Sequence, residues 1–123
     1  MSTPDWSPFR ALARRVLREG APLTLGDDVR TLILRTAEEV SITDAEAALS
    51  TSAGALALVR EAERRISEGS NRLTDALHVM WRFQGQGDYE RARQQMRDVL
   101  AVEVVPYYRE LALEQLAGMT GEP

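Results

Sequence analysis

The chain has no cysteine and no lysine, one histidine, and aromatic residues at only 6%. Without cysteine there are no disulfides, thiolate metal ligands or cysteine nucleophiles, and nothing points to an oxidising compartment. All fifteen cations are arginine, which excludes Schiff-base chemistry and a Walker-type phosphate loop. No Gly-x-Ser-x-Gly nucleophile motif occurs. No apolar run approaches the ~20 residues that cross a bilayer. The opening "MSTPDWSPF" has neither the charged region nor the apolar stretch of a secretion signal. The expected setting is the cytoplasm, with no membrane span and no cofactor.

What is present is enough for one domain. A chain of 123 residues, 44% apolar and 28% charged, has the material for a single core without metals or staples. The net charge of -4 argues against a general affinity for nucleic acid, which depends on cations displacing phosphate counterions. The charge is unevenly spread. Arg10, Arg14, Arg15 and Arg18 face only Asp5 in the first 18 residues, whereas residues 19–51 carry seven acids against Arg30 and Arg35.

Apolar residues recur at helical spacing and no stretch alternates long enough for a strand, so the expected fold is all-α, a compact bundle of five to seven helices. Residues 1–6 are expected to be disordered or loosely attached, 7–118 to form the helical domain, and 119–123 to fray. Ser7-Pro8 opens the first helix, Phe9, Leu12, Ala13, Val16 and Leu17 make its stripe, and Gly20 stops it. A second helix spans about 27–39, with Asp27 or Thr24 available as its cap. Thr43-Asp44-Ala45-Glu46 has the pattern of a capping box opening a short third helix. Leu56, Val59, Ala62 and Ile66 build a fourth, with a break or bend at Gly69. A fifth, about 71–84, is apolar round most of its circumference and is expected to be buried on several sides. Asp88 caps the sixth, striped by Tyr89, Ala92, Met96, Val99 and Leu100. The β-branched run "AVEVV" before Pro106 marks a helix end or kink, and a last helix brings Tyr108, Leu111, Ala112 and Leu116 inward before Gly118.

The stretch "GQGDYERARQQMRDVL" resembles the centre of a tetratricopeptide repeat: Tyr89 stands at the turn, Ala76 and Met80 on the first helix, Ala92 and Met96 on the second, and Pro106 at the end. Such repeats bury their faces by stacking, and no second copy appears at the same period. The expectation is therefore one tetratricopeptide-like helical hairpin. Within it, Gly85-x-Gly87-x-x-Glu90 has glutamate where a dinucleotide fingerprint needs its third glycine, and a helix in front where that motif needs a strand. Asp75-x-x-His78 has the spacing of a carboxylate-bridged metal motif, yet such sites take two of these motifs and there is no second histidine.

Two surfaces remain as binding candidates. Leu73, Leu77 and Trp81, on the side of their helix away from the hairpin mate, together with Tyr107, are candidates for contact with another protein or a second copy of the chain. Arg10, Arg14 and Arg18 line one face of the first helix and are candidates for an anionic partner, with the acidic second helix as the alternative intramolecular partner. No catalytic or metal-ligating set emerges.

Over about residues 6–117, the segments "VLREGAPLTLGDDVRTLILRTAEEVSITDAEAAL" and "RRISEGSNRLTDALHVMWRFQGQGDYERARQQMRDVLAVEVVPYYRELALEQL" resemble the DUSAM domain, a bacterial family found alone and fused to other modules. That resemblance implies one complete domain and no assigned activity. The expected function is non-enzymatic protein–protein interaction of an adaptor, regulatory or toxin-neutralising kind. The alternatives are an anion-binding module working through the first helix, for nucleic acid or a membrane surface, and a small enzyme without a recognisable motif.

Overall fold

The computed structural model describes residues 3–119. Six α-helices and no strand occur among them: α1 Ser7–Leu17, α2 Asp27–Glu39, α3 Ala45–Ala48, α4 Ser52–Gly85, α5 Tyr89–Val102 and α6 Pro106–Gly118. The fold is all-α, as the periodicity requires. The chain divides into two units, one up to Ile66 and one from Ser67 onward, and α4 runs unbroken through the division.

In the first unit, α1 buries Phe9, Leu12 and Ala13 and leaves Val16 and Leu17 half-buried. Its first amide is met by Asp5, whose carboxylate accepts from the Ser7 N–H at 3.0 Å. Gly20 ends the helix as expected. Its φ of +73° is a left-handed conformation that glycine adopts without a Cβ penalty, and it lets the Ala21 N–H donate back to the Arg15 carbonyl at 2.9 Å. The loose attachment expected of residues 1–6 does not extend to Trp6. That side chain is buried, and its indole N–H donates to Glu39 at 3.0 Å.

The second helix has the expected bounds, but Gly26 occupies its cap position without a side-chain bond. Asp27 and Asp28 instead lie in its first turn, where carboxylates suit the positive end of the helix dipole. At the other end Arg65 Nη1 donates to the carbonyls of Val40 and Ser41 at 2.9 and 3.0 Å, satisfying groups that a helix C-terminus leaves open. The capping box at 43–46 does not form. Asp44 is the cap residue, in a left-handed conformation with φ 59°, and it makes no side-chain cap bond. A box needs an extended cap residue, and Glu46 turns outward to Arg30 at 2.6 Å. The cap of α4 is Thr51, whose hydroxyl accepts from the Gly54 N–H at 2.9 Å.

The expected break at Gly69 is absent. Glycine weakens a helix by ~1 kcal/mol but does not end one, and here its missing side chain makes room. A Cβ at Gly69 would stand 2.6 Å from Tyr108 Cε2 and 2.9 Å from a Glu103 carboxylate oxygen.

The second unit contains the C-terminal part of α4, α5 and α6. Gly87, with φ +76°, makes the turn after α4, and the Asp88 carboxylate caps α5 by accepting from the Arg91 N–H at 3.1 Å. A short turn thus joins α4 to α5, although the first helix is far longer than the expected span of 71–84. Leu73, Met80, Ala92, Met96, Val99, Tyr108 and Ala112 are buried. The predicted all-round burial of residues 71–84 is not found: Leu77, Val79 and Phe83 are half-buried and Trp81 is 52% exposed. The helix buries one stripe, and its remaining apolar side chains lie towards the edge or the solvent. Between α5 and α6, Glu103 to Val105 are extended, so the last three residues of "AVEVV" separate two helices without forming a strand, its first two being the end of α5. Met119, expected to fray, is buried, and its carbonyl accepts from Arg93 at 3.0 Å. Residues 120–123 lie outside the described residues.

Candidate functional site

Of the apolar candidates on α4, the structure exposes one and buries another. Trp81 presents 52% of its surface. Leu77, one turn earlier, is half-buried, and the exposed His78 imidazole lies 5.8 Å from the indole, tilted by 45°. Leu73 is only 6% exposed and belongs to the core, not to a docking face. Tyr107 is half-buried, with its ring 5.7 Å from that of Tyr108. A helix face is a rigid platform, and an indole held in water on such a platform gains from being covered.

The arginines of α1 fall on one exposed face. A surface groove of about 410 Å³ runs along Arg10, Arg14 and Arg18, with Ala11 and Leu17 as its hydrocarbon part and Glu63 of α4 at its wall. Arg10 pairs with Glu63 at 3.3 Å. The intramolecular partner of this face is thus α4, not the acidic second helix that the charge distribution implied. Arg14, Arg15 and Arg18 are exposed and make no ion pair among the described residues.

Sequence reasoning missed the polar centre of the second unit. Glu103, 3% exposed, accepts from Arg72 Nη1 at 2.7 Å and from the N–H groups of Val104 and Val105 at 3.0 Å. Arg109 Nη1 donates to the carbonyls of Leu100 and Glu103 at 2.7 and 3.0 Å. Together these bonds take up the Leu100 and Glu103 carbonyls and the Val104 and Val105 N–H groups where α5 stops and α6 starts. The available signal was one acid inside a β-branched run, a pattern that a purely apolar junction would not show. Beside this network Val102 and Val104 are 60% and 49% exposed, and Ala76, Val79, Val99 and Val102 floor a shallow groove edged by Asp75 and Asp98.

The titration behaviour resolved among the carboxylates is downward. Hydrogen bonds from Arg64, then Arg65, hold Glu61 at about 2. Arg97 and Arg93 lower Glu90, and the Ser7 backbone N–H lowers Asp5. Glu61 and Glu90 are held ionised by arginine donors in solvated salt links, and Asp5 by a backbone N–H at the start of α1. Among the described residues no group of three or more histidines and carboxylates converges to hold a metal ion, and no helix is long and apolar enough to cross a membrane. Asp75 and His78 share a helix, but His78 packs against Trp81.

Residues 4–119 match the model of the family described as Protein of unknown function (DUF2379), and the chain belongs to that family. No curated protein and no solved structure matches it.

Proposed function

We propose that this member of the DUF2379 family is a non-enzymatic interaction module of adaptor or regulatory type, docking a partner protein or a second copy of itself through the Trp81 face of α4. The observation that carries the reading is the 52% exposure of Trp81 in a hairpin whose other large apolar residues are mostly buried or half-buried. Tryptophan is enriched among the few residues that dominate binding energy at interfaces, where a large indole fills a pocket and excludes water. Leu77 and His78 extend the surface, and Tyr107 remains part of the candidate set as a half-buried neighbour of Tyr108. The similarity to DUSAM segments and the cytoplasmic setting belong to the same reading, the latter supported by a sequence without cysteine.

The test compares the wild type with Trp81→Ala. Because the indole is half in solvent, the variant should fold with a stability loss below about 1.5 kcal/mol. Affinity capture from native lysate, with sedimentation analysis of self-association, should show a partner or dimer lost in the variant. Identical captured proteins and identical association state in the two forms would overturn the proposal.

A further inference from the structure

The arginine face of α1 lies in the other unit and does not depend on the role of Trp81. Arg10, Arg14 and Arg18 recur every fourth residue, which sets successive guanidinium stems about 6 Å apart along the axis, from a rise of about 1.5 Å per residue. Helix α1 carries no acid of its own in its first turn, and only Arg10 of the three has an acidic partner among the described residues, Glu63 at 3.3 Å. The position of Arg14 and Arg18 near the C-terminal end suits the helix dipole, but leaves their charge directed at solvent. In a chain of net charge -4 this is a local concentration of the opposite sign.

We propose that this groove binds an acidic helical segment of a partner protein, one bearing carboxylates at four-residue intervals. A helix with Glu or Asp at that spacing presents charges with the same repeat of about 6 Å, and the guanidiniums of Arg14 and Arg18, which Glu63 does not engage, can each take a carboxylate through two parallel N–H donors. Ala11 and Leu17 give the groove a hydrocarbon floor that suits the methylenes and alanines of such a helix.

The probe is a fluorescein-labelled, alanine-rich helical peptide with glutamate at every fourth position, titrated with the full chain at low salt. Its glutamine counterpart and a labelled single-stranded oligonucleotide are compared with it. The glutamate peptide should bind, the glutamine peptide should not, and binding should weaken steeply as salt rises. Arg14→Gln/Arg18→Gln should weaken it about tenfold, since exposed pairs each contribute modestly, with an unchanged thermal melt. Trp81→Ala should bind the peptide as the wild type does, so this test stands apart from that of the α4 surface. The exposed Arg60→Gln/Arg82→Gln pair removes the same net charge elsewhere and should have no effect. No binding of the glutamate peptide, an equal loss in the Arg60/Arg82 variant, or tighter binding of the oligonucleotide would each overturn the proposal.

Discussion

The Arg72–Glu103 pair offers the most demanding test of how the second unit is held together. Arg72→Ala leaves a carboxylate that is 3% exposed with two backbone donors and no counter-charge. Removing one member of a buried ion pair costs about 3–5 kcal/mol. The Arg72 side chain is 33% exposed, so water replaces part of what is lost and a cost of about 2–4 kcal/mol is expected. Glu103→Ala removes the acceptor for three donors. The freed arginine can turn to water, but the Val105 N–H is buried, and an orphaned buried donor costs about 1–3 kcal/mol. The expected total is about 2–3 kcal/mol, which lowers Tm by roughly 10 °C in a chain of this size. The double variant should be less damaged than the sum of the two, by about 1–2 kcal/mol, because each single variant already breaks the shared bond. Urea titration followed by circular dichroism measures all four forms. Additivity within about 0.3 kcal/mol, or a Glu103→Ala form within about 0.5 kcal/mol of wild type, would refute the assignment of this network as the organiser of the α5–α6 junction.

Gly69→Ala should destabilise by about 1–3 kcal/mol through collision with Tyr108 and Glu103, although alanine ordinarily gains ~1 kcal/mol over glycine inside a helix. Gly85→Ala, with open space at its Cβ, should be neutral or stabilising, and a stabilised Gly69→Ala in the same melts would contradict the packing described. Glu61, held at about 2 against an ordinary 4.5, contributes stability that is present above about pH 4.5 and lost as pH falls through about 2. Its side chain is 35% exposed, so Glu61→Gln should cost under about 1 kcal/mol at neutral pH, and the gap from wild type should close on acidification. A gap that stays constant down to that pH would show that the arginine bonds do not set its titration.

Local rules read well wherever their causes are local. The start of α1 at Ser7-Pro8, its stop at Gly20, the 27–39 span of α2 and the Asp88 cap of α5 each depend on residues within one turn of the feature, and each is found. The failures have partners far along the chain. Gly69 looked like a break because the Tyr108 ring that fills its vacancy is far along the chain, on α6. Glu103 looked like one acid among valines because Arg72 is 31 positions earlier. The box at Thr43–Glu46 matched in letters, but Asp44 turned left-handed and Glu46 took Arg30 instead. For the candidate surfaces the sequence placed Leu73, Leu77 and Trp81 together on one side of the helix. Which of them is covered was beyond its reach.

Period, caps and turn residues by themselves determined that this chain is helical and where most helices begin and end, because those signals act through bonds of three or four residues. Tertiary structure alone decided that α4 continues through its glycine, that Leu73 is buried while Trp81 meets water, and that Arg10 pairs with Glu63. Each of these depends on which side chains distant segments bring into contact, and helical spacing fixes a residue's direction without fixing what lies there.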